Sequence, residues 1–218
     1  ARISHDGQPI ARRGAYKDVP VRVQELPRYV PFAFIAIEDR RFLVHHGMDL
    51  SGMARAALIN LRAGHVVQGG STITQQLAKN AYLTQRRTLG RKLKEAALAY
   101  GLEVRMSKAQ ILSAYLSSVY FGDGVYGLRA ATQHYFGKPP EQLSLSEAAL
   151  LAGMVKAPSK LNPSDNPVAA GRRGRLVLDA MVSQHMITRA QAQAAGHVRV
   201  RLRASQVPAG TYFADWVT

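Results

Sequence analysis

Three helix-start signals constrain the fold of this chain more than any other feature. Each is a capping box, in which a Ser or Thr is followed three residues later by Glu or Gln at the start of a helical pattern. They are Ser107…Gln110, Ser144…Glu147 and Thr188…Gln191. Because the two side chains of a capping box bond to each other's backbone N–H groups, each pair marks where a helix begins. The signals predict helices over 108–116, 145–155 and 189–195.

Further helices are predicted where apolar residues recur with helical spacing. These segments are 51–61, 71–82, 88–106, 128–136 and 167 to about 185. Near the N-terminus an Asp6-Gly7 turn signal favours a hairpin or loop, and residues 198–203 alternate as in a strand or extended linker. We therefore expect a mainly α fold with short extended N- and C-terminal segments. The predicted organisation is an extended segment over 1–30, a helical domain over 31–196 and a linker over 197–218.

The charge of the chain indicates an anionic partner. Its 218 residues include 29 Lys and Arg against 14 Asp and Glu, a net charge of +15. Such a surplus is typical of proteins that meet nucleic acid, an anionic membrane or a phosphorylated substrate, and the sum alone does not choose among them. The chain has no Cys, which excludes thiol catalysis and disulfides, and it has no apolar run long enough to span a bilayer.

The first candidate catalytic residue is Glu38, which follows an uncharged segment over 29–37. A carboxylate at the end of an apolar helical face is poorly solvated, and this raises its pKa towards the range of a proton acceptor. The same pattern is typical of an ordinary helix end with a charged cap. The residue types leave both interpretations open.

A second candidate is a polar stripe on the predicted helix over 71–82. Thr72, Gln76 and Lys79 lie at i, i+4 and i+7, so they share one face. Solvated helix faces usually carry Glu and Lys rather than Thr and Gln, so a binding face and a solvated face are both retained. Gly69-Gly70 would leave backbone N–H groups accessible to an anion, but no Lys follows as a phosphate loop requires.

A third candidate is the basic stretch over 79–108, which holds eight cations and two acids. Arg91 and Glu95 are i, i+4 neighbours, and Arg87 continues their line. Such a cluster would neutralise a pyrophosphate, since Arg and Lys are its expected ligands. A basic surface helix with one salt bridge would show the same pattern.

Two other groups of residues are interpreted without a catalytic role. A second basic tract is attributed to membrane or surface electrostatics; it comprises Arg172, Arg173, Arg175, Arg199, Arg201 and Arg203. The histidines at 45, 46 and 65 lack the spacing of a metal set, so no zinc site is expected.

Together these segments resemble the five signature motifs of the peptidoglycan glycosyltransferases, the modules of class A penicillin-binding proteins and of monofunctional transglycosylases. The motifs occur in the family's order over 31–180. They are EDRRF…HHGMD at 38–49, GGSTITQQLAKN at 69–80, RKLKE at 91–95, K…IL…YL and YFGDGVYG within 108–127, and EAALLAG…KAP…NP within 147–163. The match departs from the family pattern at Leu43, Ser113 and Ser117, where an aromatic residue, Glu and Asn are usual.

The resemblance implies a lysozyme-like helical fold and polymerisation of lipid II, a disaccharide-pentapeptide carried on undecaprenyl pyrophosphate. It makes Glu38 the base that removes the acceptor 4-hydroxyl proton, and it places Glu95 at the donor side. The other implied substrate-binding residues are Asp39, Phe42 and His45 around the base, Thr72, Gln76 and Asn80 at the donor, Lys79, Arg87 and Arg91 at the pyrophosphate, and Lys94, Tyr115 and Lys156 in the later motifs. No protein-held metal is expected, although the resemblance allows a divalent cation, Mg²⁺ or Mn²⁺, at the donor pyrophosphate.

The resemblance also implies partners and a location. The partners are lipid II, the growing glycan strand, an anionic membrane surface, phosphoglycolipid inhibitors of the moenomycin type and a transpeptidase domain in the full-length protein. The expected location is the periplasmic face of the bacterial inner membrane, with a membrane helix before residue 1. Residues of the membrane-dipping subdomain would be Leu43, Val44, Met48, Leu50, Met53, Leu58, Ile59, Leu61, Val66 and Val67, some of them packed in the core.

Two rival functions are weighed against this one. A muramidase or lytic transglycosylase would share the fold and a catalytic Glu but would cleave glycan, and it has no pyrophosphate to neutralise with Lys79, Arg87 and Arg91. A nucleic-acid binder is suggested by charge alone, but no docking motif accompanies the basic clusters. No nucleic-acid partner is expected.

Overall fold

The computed structural model describes residues 20–65, 69–82 and 89–196, together with the backbone of two short strands near the N-terminus. The helices of this part are α1 (Tyr29–Glu38), α2 (Leu50–Ala63), α3 (Ile73–Tyr82), α4 (Leu89–Arg105), α5 (Lys108–Ser118), α6 (Leu128–Phe136), α7 (Leu145–Met154), α8 (Pro167–Ser183) and α9 (Arg189–Ala194). The strands β1 (Arg2–Ile3) and β2 (Pro9–Ala11) pair antiparallel. The predicted mainly α fold is confirmed. The Asp6-Gly7 turn and the predicted linker over 197–218 lie outside the described residues.

All three predicted capping boxes are present, and each begins a helix at the expected residue. A fourth reciprocal pair, which the sequence analysis did not identify, precedes α3. The Gln75 N–H donates to Thr72 Oγ1, and the Thr72 N–H donates to Gln75 Oε1, both at 3.1 Å. This pair places Thr72 at the helix start, so the predicted stripe begins at the cap rather than inside the helix.

The hydrophobic core is built from α1, α5, α6, α7 and α8. Helix α1 is apolar along most of its length, and α1, α7 and α8 pack against one another. Val21 and Leu26, which precede the boundary predicted at residue 31, are also buried in this core. Hydroxyls on α5 hold that segment, because the N–H groups of Val21 and Val23 donate to Ser117 Oγ and Ser113 Oγ. Ser113 and Ser117, two of the three positions that depart from the family pattern, therefore attach the segment before α1 to α5.

Helix α4 exposes apolar side chains and buries a carboxylate, which is the reverse of an ordinary surface helix. Its apolar side chains Leu93, Tyr100 and Val104 are 73%, 58% and 68% exposed, whereas Glu95 is 2% exposed. Leu93, Tyr100 and Val104 share one face of α4, and that face points away from the core. None of the helices in the described part of the chain is long and apolar enough to cross a bilayer.

Candidate active site

A cleft of about 670 Å³ lies where the C-terminal end of α1 meets α3, α4 and the α7–α8 pair. Four carboxylates and seven cations contribute to its lining, so its net charge is positive. They are Glu38, Asp39, Asp49, Glu95, Arg40, Arg55, Lys79, Arg91, Lys92, Lys156 and Arg173. Motifs far apart in the sequence thus meet in one cavity.

Glu38 is the last residue of α1, where the apolar helix delivers its carboxylate to the cleft. Burial raises the pKa of Glu38 above its ordinary value, and the nearby charge of Asp39 adds to the rise. A hydrogen bond from Gln76 and the charges of Arg173 and Lys156 act in the opposite direction. The rise in pKa that the uncharged segment predicted is confirmed, and its main cause is desolvation.

Gln76 on α3 orients the Glu38 carboxylate. Its Nε2 donates to Glu38 Oε2 at 2.9 Å, and its Oε1 accepts from the Tyr115 hydroxyl at 3.4 Å. Tyr115 is fully buried on α5, and burial raises its pKa well above the usual value. Since a neutral phenol donates its proton, Tyr115 fixes which end of the Gln76 amide faces Glu38. Tyr115 therefore acts through Gln76.

Asp39 is buried and connects the end of α1 to the start of α3. Its carboxylate accepts from the Ile73 N–H at 3.0 Å and contacts the His45 Nε2 at 2.9 Å. Phe42 is buried beside the His45 ring, at 6.2 Å between centroids, and neither aromatic side chain lines the cleft. These three predicted residues thus hold the chain that follows Glu38, and Asp39 is the one of them that lines the cleft.

An ion pair that the sequence did not predict lies beside His45, between the half-buried Lys108 ammonium and the buried Glu103 carboxylate. The Lys108 ammonium donates to the His45 carbonyl at 2.6 Å, pairs with Glu103 at 2.7 Å and lies 4.6 Å from the Phe42 ring centroid. Thr74 on α3 donates to the other side of the network, with its hydroxyl 2.6 Å from Glu103 Oε1. The only signal of this arrangement in the sequence is that Lys108 lies in the fourth motif.

Glu95 is buried on α4 between two cations. Arg91 Nη1 donates to Glu95 Oε2 at 2.9 Å, and Lys92 Nζ contacts Glu95 Oε1 and donates to Ser71 Oγ at 3.0 Å. The predicted Arg91–Glu95 pair is therefore present. Lys92 lines the cleft, whereas the predicted residue Lys94 is exposed and does not. Two residues along a helix turn a side chain by about 200°, so Lys94 points to nearly the opposite side of α4 from Lys92.

The remaining predicted substrate-binding residues differ in whether they line the cleft. Lys79 and Lys156 are exposed side chains that line the cleft. Thr72 also lines it, but its hydroxyl donates to the Gly47 carbonyl at 2.7 Å. Asn80 is exposed and does not line the cleft. Arg87 lies outside the described residues.

Arg173 is the main residue of the cleft that the sequence analysis assigned elsewhere. It was grouped with a tract of surface arginines, yet α8 places it in the cleft, half-buried, where its charge acts on Glu38. Its neighbour Arg172 is exposed and does not line the cleft. Only the helical phase of α8 against α7 distinguishes the two.

The donor set of the cleft does not fit a metal held by the protein. Among the described residues no group of three or more His, Cys, Asp or Glu side chains could hold an ion. Both oxygens of Glu95 already contact cations. A divalent cation at the donor pyrophosphate stays a prediction.

Comparison with known proteins agrees with this arrangement. A family model described as Transglycosylase matches residues 6–182. The crystal structure of penicillin-binding protein 1A from Haemophilus influenzae matches with a TM-score of 0.51 and 22% identity, covering 99% of this chain and 22% of that one. At this identity the likeness shows the fold.

Relatives with higher identity are also penicillin-binding proteins. Penicillin-binding protein 1A of Aquifex aeolicus is 51% identical over 175 residues, which cover 80% of this chain and 24% of the relative. That of Escherichia coli is 46% identical over 188 residues, covering 86% and 22%. Penicillin-binding protein 1F of Bacillus subtilis is 43% identical over 190 residues, covering 87% and 27%. The chain thus spans about a quarter of the length of these relatives, and it belongs to the transglycosylase family.

Proposed function

We propose that this chain polymerises lipid II into glycan strands by inverting glycosyl transfer. The observation that carries the proposal is the pairing, in one cleft, of a desolvated carboxylate, Glu38, with a cationic wall around Glu95. The first can accept a proton, and the second can receive an anionic leaving group. A transfer that expels a pyrophosphate requires both.

The chemical step begins at the acceptor. Glu38 takes the proton of the acceptor 4-hydroxyl as that oxygen attacks C1 of the donor sugar from the face opposite the pyrophosphate. The new O–C1 bond forms while the bond from C1 to the pyrophosphate oxygen breaks, so the configuration at C1 inverts. Gln76 keeps the Glu38 carboxylate aligned through its 2.9 Å hydrogen bond.

The leaving group carries the negative charge that develops. Arg91 and Lys92 line the cleft beside Glu95, and Lys79 extends the same wall from α3. Preorganised cations at this point stabilise the departing pyrophosphate more than the intact donor. Glu95 holds the two α4 cations in place and keeps their net charge moderate before the substrate arrives.

The cationic wall argues against a glycan hydrolase. A muramidase protonates a sugar oxygen as the leaving group and has no phosphate to neutralise. The seven cations outnumber the four carboxylates of the cleft, and this surplus suits a phosphate-bearing substrate better than a neutral sugar. The polymerase is therefore the function that these residues support best.

The decisive experiment incubates the full chain with fluorescent lipid II and separates the products by length. We expect long glycan from the wild type and none from Glu38→Gln, with lipid II binding retained. Asp179→Asn, which removes a carboxylate of α8 outside the cleft, serves as a matched control and should polymerise normally. Polymer from Glu38→Gln at the wild-type rate would exclude Glu38 as the base, and short muropeptides from the wild type would favour the hydrolase.

We propose a membrane surface as the setting of this reaction, at the periplasmic face of the bacterial inner membrane. The exposed apolar side chains Leu43, Val44, Leu50, Leu58 and Leu61, which are 47% exposed or more, support the proposal, together with the α4 face at Leu93. Ile59 instead lines the cleft, and Val66 and Val67 lie outside the described residues. Such a surface can enter the acyl boundary of a bilayer that presents the lipid substrate.

The remaining proposals concern the whole protein. We propose that the glycosyltransferase domain over 31–196 follows a segment over 1–30 and leads through 197–218 to a transpeptidase domain. The names of the relatives, which are penicillin-binding proteins several times longer than this chain, support such a domain. Phosphoglycolipids of the moenomycin type are proposed inhibitors, because they combine a lipid, sugars and a phosphate.

A further inference from the structure

Helix α5 is held on two opposite sides. Ser113 and Ser117 are four residues apart and share one face of the helix, whereas Tyr115 between them points about 200° away from each. The serine face meets the chain before α1, and the tyrosine face meets α3. Because Ser113 and Ser117 stand where the family pattern carries Glu and Asn, this chain meets the segment before α1 with hydroxyl groups.

The anchor segment, defined as residues 20–26, is fixed to the serine face by two hydrogen bonds. The Val21 N–H donates to Ser117 Oγ at 2.9 Å, and the Val23 N–H donates to Ser113 Oγ at 3.1 Å. Ser117 donates its own proton to the Ser113 carbonyl at 2.7 Å, so its oxygen is free to accept. Val21 and Leu26 are buried in the core. A buried N–H group needs a partner, and the serines supply it.

The tyrosine face connects α5 to the proposed base. The Tyr115 hydroxyl donates to Gln76 Oε1 at 3.4 Å, and Gln76 Nε2 donates to Glu38 Oε2 at 2.9 Å. A donor–acceptor distance of 3.4 Å is at the upper limit of a hydrogen bond, so a small displacement of α5 away from α3 breaks it. The position of α5 therefore determines whether Tyr115 holds the Gln76 amide.

We propose that Ser113 and Ser117 are positioning residues for the reaction. They hold the anchor segment on the face of α5 opposite α3, and this keeps Tyr115 within reach of Gln76. Gln76 in turn stays aligned with the Glu38 carboxylate. The inference rests on the proposed function and adds to it two residues that do not line the cleft.

Gln76 is the group through which α5 acts on Glu38. Its hydrogen bond lowers the pKa of Glu38, as do the charges of Arg173 and Lys156, and the charge of Asp39 raises it. Arg173 belongs to α8, Lys156 follows α7 and Asp39 follows α1, so these three charges do not depend on the position of α5. Loosening the Gln76 amide should therefore raise the pKa of Glu38.

The test follows the pKa of Glu38 in the full chain without substrate, by carbon NMR of labelled carboxyl groups. Glu38→Gln identifies the Glu38 signal by its loss. The pH dependence of kcat/KM for lipid II polymerisation is the second measurement. Because the NMR measurement requires no reaction, it separates this inference from the proposed function.

Replacing both hydroxyls should loosen the base. In Ser113→Ala/Ser117→Ala we expect a raised Glu38 pKa, an acidic limb of kcat/KM that moves upward with it, and a kcat about 3- to 10-fold lower at neutral pH. This fall is a part of the roughly 10²-fold that a displacement of ~1 Å can cost. Ser113→Ala alone removes one of the two bonds, and it should give a smaller shift of the same sign even if the double variant folds poorly.

Two controls test the hydroxyl contact itself. Ser118→Ala changes a third serine of α5, whose hydroxyl donates to carbonyls of the same helix, and it should behave as the wild type. Ser113→Thr/Ser117→Thr keeps both hydroxyls and should keep the Glu38 pKa of the wild type.

A variant of Tyr115 separates positioning from a general loss of stability. In a Tyr115→Phe background the link to Gln76 is already absent, so Ser113→Ala/Ser117→Ala should cause no further rise in the pKa of Glu38. A rise of equal size in both backgrounds would overturn the inference, because the serines would then act by another route. An unchanged Glu38 pKa in both Ser113→Ala and the double variant would overturn it as well. A raised pKa in a chain whose wild type makes no glycan would support the positioning of Glu38 and contradict the proposed function.

Discussion

The Gln76 side chain donates to Glu38 Oε2 at 2.9 Å and is itself held by the Tyr115 hydroxyl. The Gln76 amide therefore orients the Glu38 carboxylate. The same hydrogen bond also lowers the pKa of Glu38, against the rise caused by burial. The base is thereby kept available at a lower pH than its desolvation alone would allow.

Removing this amide should shift the pH dependence of the reaction. In Gln76→Leu the pKa of Glu38 rises, so the base becomes deprotonated only at higher pH and the acidic limb of kcat/KM moves upward. We expect kcat at neutral pH to fall about 10- to 100-fold, a part of the roughly 10²- to 10⁴-fold that a general base contributes. Tyr115→Phe should give a smaller shift in the same direction. An unmoved acidic limb in Gln76→Leu would contradict this account of Glu38.

Glu38→Gln should stabilise the fold at neutral pH while abolishing activity. The folded-state pKa of Glu38 is raised by burial, so its ionised form destabilises the native state above the ordinary carboxyl pKa. A neutral amide removes that penalty. The gain should appear in urea unfolding near pH 7 and disappear below the ordinary pKa, where Glu38 is protonated in both states. A less stable variant at neutral pH would contradict the desolvation of Glu38.

Glu147→Gln tests the opposite situation, a carboxylate whose pKa is lowered in the folded state. Burial would raise the pKa of Glu147, but hydrogen bonds from Lys138 and Ser144 outweigh it and leave the pKa lowered. Its stabilising effect is therefore present above the ordinary carboxyl pKa and lost as pH falls through the folded-state pKa. We expect Glu147→Gln to reduce the unfolding free energy by about 1 kcal/mol near pH 7 and to have little effect in acid.

Glu95→Gln should slow polymerisation severely, with a smaller effect on stability. It leaves Arg91 and Lys92 without the buried carboxylate that both contact, so the donor wall loses its geometry. We expect kcat to fall about 100-fold or more and the unfolding free energy to fall by about 1–3 kcal/mol. Glu141→Gln breaks the Arg129–Glu141 pair outside the cleft and should retain activity. Equal activity of the two variants would remove Glu95 from the mechanism.

Lys108→Met should destabilise the fold around His45 and Glu103. It removes the ammonium that contacts both the His45 carbonyl and the buried Glu103 carboxylate. Leaving Glu103 buried without a cation should reduce the unfolding free energy by about 3–5 kcal/mol. Adding Glu103→Gln should recover part of this loss, which a double-mutant cycle in urea measures. Additive losses would mean that the two side chains do not stabilise each other.

The exposed face of α4 should contribute to vesicle binding. Replacing Leu93, Tyr100 and Val104 together by Ser should weaken co-sedimentation with anionic vesicles, because the apolar area that enters the bilayer decreases. The free energy of unfolding should change little, since these side chains do not pack in the core. Replacing Val168 and Leu176, exposed apolar residues of α8, is the control. Equal loss in the control would indicate a general effect of surface hydrophobicity.

The sequence by itself determined where the helices begin and what kind of residues carry the chemistry. The capping boxes at Ser107, Ser144 and Thr188 act within one turn, so their outcome does not depend on distant contacts. The uncharged run before Glu38 likewise predicted its poor solvation, because the run and the carboxylate belong to one helix.

Tertiary structure alone decided which side chains meet. Helical spacing places Leu93 and Tyr100 on one face of α4, but only the packing of α3 against α4 turned that face outward and buried Glu95. Arg172 and Arg173 are the same residue type at adjacent positions. Only their directions around α8, relative to α7, place Arg173 in the cleft and leave Arg172 outside it. Local signals act over three or four residues, whereas the choice of a buried face depends on partners far along the chain. For that reason the position of Arg173 in the cleft emerged only from the fold.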